Sequence, residues 1–110
     1  MFDKVTPTAG ESLVIWRRRE NLNQVEAAAL KEVHPDIYRE WEADRREKDQ
    51  PRYHAGELKP NEVCYLLRRR AGMRQRDVAT SMGISRLWVI QMEEGSAPVD
   101  RLLEYWKNKK

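Results

Sequence analysis

The sequence predicts an all-α chain made of two tandem helical units, on three observations. Apolar residues recur at helical spacing: Val63, Leu66 and Leu67 fall at i, i+3 and i+4, and Val99, Leu102, Leu103 and Trp106 form a second stripe. The stretch between them, from Arg68 to Pro98, divides into two short helices around Gly83. The chain also repeats itself at an offset of 51 residues. Arg17, Arg18 and Arg19 then fall on Arg68, Arg69 and Arg70. Glu11 falls on Glu62, Gln24 on Gln75, Ala28 on Ala79 and Glu42 on Glu93.

Taken in order, the N-terminal copy is expected to hold helices at about Glu11–Glu20, Gln24–Lys31 and Pro35–Lys48. Asn23 is a suitable N-cap for the second. Pro35 suits the first turn of the third, where its missing N–H costs nothing. Asn21 replaces Gly72 and tolerates the left-handed conformation. Glu32 replaces Gly83, which puts the sharp turn in question. Asp44 replaces Gly95, so the third helix is expected to run on through EADRREKD. The domain reading is a degenerate unit at 1–49, a linker at 50–58 and a second unit at 59–110. The link, KDQPRYHAGELKP from Lys48 to Pro60, carries Pro51, Gly56 and Pro60, with no apolar periodicity.

In the C-terminal copy, Pro60 and Glu62 mark a helix start and Gly72 its end. Two helices follow, at about Gln75–Met82 and Arg86–Glu94, with Gly83 at a turn that needs positive φ. Ser85 is placed to cap the second. Val78, Ala79, Met82, Ile84, Val89 and Met92 would close the pair. The start of the second helix would then face outward, as in a DNA-reading helix-turn-helix. A last helix is expected at about Val99–Lys107, its basic end suiting the helix dipole.

Leu67-Arg68, Gly72, Gln75, Ala79, Met82-Gly83-Ile84-Ser85, Val89, Met92-Glu93 and Gly95 together resemble the Cro/CI-type (XRE) helix-turn-helix regulators. The likeness runs from about Pro60 to Trp106. It implies two lambda-repressor-like units in tandem, the first worn. It also implies that Arg68 and Glu93 pair across the domain, and that Gln75 grips the DNA backbone beside free N–H groups. The offset repeats the pair as Arg17 and Glu42.

Seven residues are the candidate DNA contacts: Arg74, Gln75, Ser85, Arg86, Leu87, Trp88 and Gln91. Arg86 at the helix start can donate two hydrogen bonds to guanine, Gln91 can pair with adenine, and Leu87 can touch a thymine methyl. Arg74 stands at a cap position that it cannot fill, since it has no acceptor. A phosphate would explain that charge, and a solvated surface residue is the plainer alternative. Trp88 faces either a neighbouring helix or an interface. In the N-terminal copy the positions matching Arg86, Leu87 and Gln91 are Pro35, Asp36 and Glu40, and carboxylates repel phosphate. That copy is read as a pairing or partner-binding unit, with DNA contact or a bare scaffold as alternatives.

Charge follows the same division. Residues 1–51 hold 9 Lys+Arg against 11 Asp+Glu, and residues 52–110 hold 12 against 7. The basic excess lies in the half that carries the clean motif, which fits a polyanionic partner. No apolar run approaches a membrane span, and the start lacks a secretory pattern. Cys64 is the only cysteine, so no internal disulfide forms and the expected location is cytoplasmic. No phosphate-cradling glycine loop or nucleophile elbow is present, so no catalysis, cofactor or metal is expected. The reading is a repressor on double-stranded DNA, acting as a homodimer; the resemblance alone implies a phage or mobile-element origin. The alternatives are an antitoxin-like module holding a protein partner through the first unit, and an RNA-binding regulator.

Overall fold

The computed structural model describes residues 5–109 and is all-helical among them. Seven helices follow in order: α1 (Ala9–Arg19), α2 (Gln24–Leu30), α3 (Pro35–Glu42), α4 (Pro60–Ala71), α5 (Gln75–Met82), α6 (Arg86–Glu94) and α7 (Asp100–Asn108). The chain divides into an N-terminal unit, Thr6–Glu57, and a C-terminal unit built mainly on Leu58–Lys110. In the N-terminal unit α3 packs on both α1 and α2. In the C-terminal unit α6 packs on both α4 and α5, and α7 lies against α4.

The two units close their helices in the same way. Six residues hold positive φ at helix ends: Asn21, Glu32 and Asp44 in one unit, Gly72, Gly83 and Gly95 in the other. Each falls on its counterpart at the offset of 51. After each of them, the next backbone N–H turns back into the helix. Leu22 donates to Arg17 O, Val33 to Ala28 O and Arg45 to Glu40 O. Met73 donates to Arg68 O, Ile84 to Ala79 O and Ser96 to Gln91 O. These bonds satisfy carbonyls that the helix ends would leave open. The sharp turn in question at Glu32 is therefore made, at φ 58° and without a glycine.

The long third helix does not form. It ends at Glu42 because Asp44 turns left-handed at φ 57°. The Asp44 carboxylate accepts from Thr8 Oγ1 at 2.6 Å, from Gly10 N at 2.9 Å and from Gln50 Nε2 at 3.1 Å. It thereby serves the start of α1, where unpaired N–H groups favour an anion. Gly10 leaves the room: a Cβ there would lie 2.5 Å from Glu42 O and 2.7 Å from Asp44 Oδ2. The C-terminal unit solves the same junction in reverse. Gly95 has no side chain, and Asn61, the counterpart of Gly10, donates across to Glu93 O at 3.1 Å.

The expected linker is tied down as well. Trp41 Nε1 donates to Asp49 at 3.0 Å, and Gln50 Nε2 donates to Trp41 O at 2.6 Å. Tyr53 packs on the N-terminal core, and Arg19 Nη1 donates to both Tyr53 Oη and Ala55 O. The stretch 49–55 thus belongs to the N-terminal unit, through polar contacts that carry no apolar periodicity. Arg46 and the Trp41 indole hold the Asp49 carboxyl well down, to about 2. Cys64 is buried in the other core, and desolvation followed by the nearby Glu93 charge pushes its thiol up to about 12.

Two predictions follow from the junctions. Glu32 and Asp44 share a left-handed backbone, yet replacement by glycine should act with opposite sign. Glu32→Gly relieves the backbone and should stabilise the chain by about 0.5–1 kcal/mol. Asp44→Gly removes three hydrogen bonds and should cost about 1–3 kcal/mol, both read from urea denaturation. For Asp49, a carboxyl lowered in the folded state adds stability above its unfolded value near about 4. That contribution is lost as pH falls through about 2. The difference in urea midpoint between wild type and Asp49→Asn should therefore narrow steadily from about pH 4 to about pH 2.

Candidate functional site

The surface around the first turns of α5 and α6 is set by a carboxylate behind it. Glu93, 1% exposed, accepts from Arg68 Nε at 2.6 Å, Arg68 Nη2 at 3.0 Å and Gln75 Nε2 at 3.0 Å. Arg68 Nη1 also donates to Met73 O at 3.0 Å. One carboxylate thus ties α4, α5 and α6 together, and it holds α6 at a fixed angle to the start of α5. The N-terminal unit repeats every bond: Arg17 and Gln24 donate to Glu42, and Arg17 donates to Leu22 O. The Arg68–Glu93 pair implied by resemblance is present. Gln75, a candidate backbone grip, donates one amide N–H to Glu93 and also lines the surface beside Arg74.

On this frame Ser85 caps α6, its Oγ accepting from Trp88 N at 3.2 Å. Arg86 and Leu87 follow in the exposed first turn with Trp88, Leu87 being 61% exposed and Trp88 38%. Arg86 makes no ion pair among the described residues. Each of the other six helices carries an acidic residue in its first turn, and α6 carries none. Its N-terminal partial positive charge is therefore left unneutralised, with a guanidinium added to it.

Arg74 lies at the N-cap of α5 and offers no acceptor to the helix. Asp77 meets it instead, accepting from Arg74 N at 2.9 Å and from Arg74 Nε at 3.2 Å. These two bonds lower the Asp77 carboxyl, the backbone one most. The cationic cap is thus partly offset within its own helix, through its backbone N–H and Nε, while the side chain stays exposed. Gln91 is half-buried one turn further along α6.

Arg74, Gln75, Arg76 and Arg86 together line a depression of about 230 Å³. Arg76 fills no position of the motif and is not among the seven candidate contacts. The signal was available, since its counterpart at the offset is Val25 and the basic side chain occurs only in the C-terminal copy. The matching surface of the N-terminal unit is built differently. His34 Nδ1 accepts from Asp36 N at 3.1 Å, Asp36 pairs with Arg39, and Ile37 packs on the core. Trp88, the counterpart of Ile37, is exposed rather than packed.

Comparison with protein-family models, with curated proteins and with solved structures finds no match to this chain. Among the described residues no helix is long and apolar enough to cross a membrane, and no cluster of His, Cys, Asp or Glu has the makings of a metal site.

Proposed function

We propose that the chain is a sequence-specific DNA-binding transcriptional regulator built from two tandem helix-turn-helix units of Cro/CI type. In this reading the C-terminal unit enters the major groove with α6, and the N-terminal unit serves pairing. One observation supports it above the others. The first turn of α6 has no acidic residue, carries an Arg86 with no ion pair among the described residues, and adjoins Arg74 and Arg76. An electropositive helix end flanked by guanidinium groups suits a phosphate backbone, and an exposed Arg86 suits the guanine edge beside it.

Roles divide accordingly. Arg86, Leu87 and Gln91 face the bases; Arg74 and Arg76 face phosphates. Ser85 fixes the helix end, and Gln75 fixes α5 against α6. The N-terminal unit keeps the glutamine, as Gln24, but lacks the contact residues: Asn23, Val25 and Pro35 stand where Arg74, Arg76 and Arg86 stand, and Asp36 and Glu40, which repel phosphate, stand where Leu87 and Gln91 stand. Repression is the simplest output, since occupying a promoter suffices. A homodimer fits because one reader covers few base pairs and paired half-sites multiply affinity. The role calls for neither catalysis nor cofactor, and its place is the cytoplasm, with the DNA.

The test is binding of a duplex selected from a random pool. Arg86→Ala should weaken binding by about 1–3 kcal/mol and relax one base position. Arg76→Ala should instead weaken all sequences evenly and reduce the salt slope by about 1. Asp36→Arg should leave the base preference unchanged. Full affinity and an unaltered preference in Arg86→Ala would sink the assignment of α6 as reader.

A further inference from the structure

Among the described residues, four large apolar side chains are exposed, and they fall into two pairs. Val25 and Leu30 lie on α2, 56% and 64% exposed, and Leu87 and Trp88 lie on α6. On α2 the outward arc runs through Val25, Ala29, Glu26 and Leu30, spaced over roughly 140° of the helix. Three of these four are apolar, on a face that ordinarily meets water. The shared fold does not require them. Their counterparts on α5 are Arg76, Thr80, Asp77 and Ser81, all polar, and α5 packs on α6 as α2 packs on α3. Leu87 likewise has a polar counterpart, Asp36.

The surroundings of the two pairs carry opposite charge. Residues 20–40 hold five acids against two bases, for a net of −3. The matching residues 71–91 hold one acid against three bases, for a net of +2. One of the two bases around α2, Lys31, is turned onto the Trp16 ring, its Nζ 4.4 Å from the centroid. Asp36 takes up the other, Arg39. Glu26 and Glu32 thus border the α2 pair, while Arg74, Arg76 and Arg86 border the α6 pair.

We infer that the outward face of α2 in one copy of this chain docks on the first turn of α6 in a second copy. Val25 and Leu30 cover Leu87 and Trp88, and the acidic rim meets the basic one. The contact is heterologous: each chain offers both halves, so association leads to a closed ring or an open chain according to the rotation between copies. Opposed rims give specificity and on-rate, and apolar pairs at the centre supply the affinity. Because Leu87 and Trp88 are consumed, a docked α6 cannot also enter a groove, so this association belongs to the DNA-free chain and is separate from any pairing of readers on half-sites. That consequence alone rests on the DNA reading; the self-association does not.

Sedimentation of the full chain tests it by complementation. Wild type should rise with concentration from 13.1 kDa to at least twice that mass, and fall back in high salt. V25S/L30S and L87S/W88S should each remain monomeric, with unchanged helical circular dichroism. Mixed together, they should form a one-to-one complex, since each keeps the half that the other lacks. A monomeric wild type, or self-association in either variant alone, overturns the inference. So does failure of the mixture to associate at about 1 mM while wild type does. Duplex DNA added at low salt should disperse the wild-type complex. If complementation succeeds and DNA neither binds nor disperses it, the docking stands and the DNA reading falls.

Discussion

A buried carboxylate in each unit is the point on which the rest depends. Glu93 and Glu42 lie in the core, where an unpaired charge costs several kcal/mol. Each is met by an arginine from the first helix and a glutamine from the second. Removing either arginine would strand the carboxylate, at a cost of about 3–5 kcal/mol. The arrangement is directional in a way that apolar packing is not. It fixes three helix axes relative to one another by the geometry of one acceptor group. Residues on the far side of α6 are then free of any packing duty, and their chemistry can change without disturbing the fold.

The two units show how far that freedom reaches. Both keep the carboxylate, its arginine and its glutamine, and both keep three left-handed helix ends. The means differ: three glycines in one unit, Asn21, Glu32 and Asp44 in the other. At the junction between the first and third helices, a side chain is needed from one partner and space from the other. The N-terminal unit takes it from Asp44 with space at Gly10, and the C-terminal unit takes it from Asn61 with space at Gly95. The two units share these helix ends while their exposed faces differ, basic on α5 and α6 and acidic and apolar on α2 and α3.

Much of this was legible in the sequence where the signals are local. Gly83, Ser85 and Gly95 set the bounds of α5 and α6, and the offset of 51 placed the matching elements. Most of what was not legible depends on contacts beyond a helix's own turn. Nothing near Asp44 says that its carboxylate will meet Thr8 and Gly10, so the third helix was expected to continue. Nothing near Asp49 or Tyr53 shows that they close over the N-terminal core. Gln75 looked outward because it begins a helix, and only the buried Glu93 explains why its amide turns in. Arg76 was visible by subtraction of one copy from the other, and was missed because it fills no motif position.

The proposed division of labour between the units confines base reading to α6. It is tested most directly by selecting bound duplexes from a random pool with the intact chain and footprinting the winners. Enrichment of one kind of short half-site, single or repeated and protected on its major-groove face, is the expected result. A bound pool indistinguishable from the input would contradict DNA reading altogether. Two unlike half-sites protected by one chain would contradict its confinement to α6.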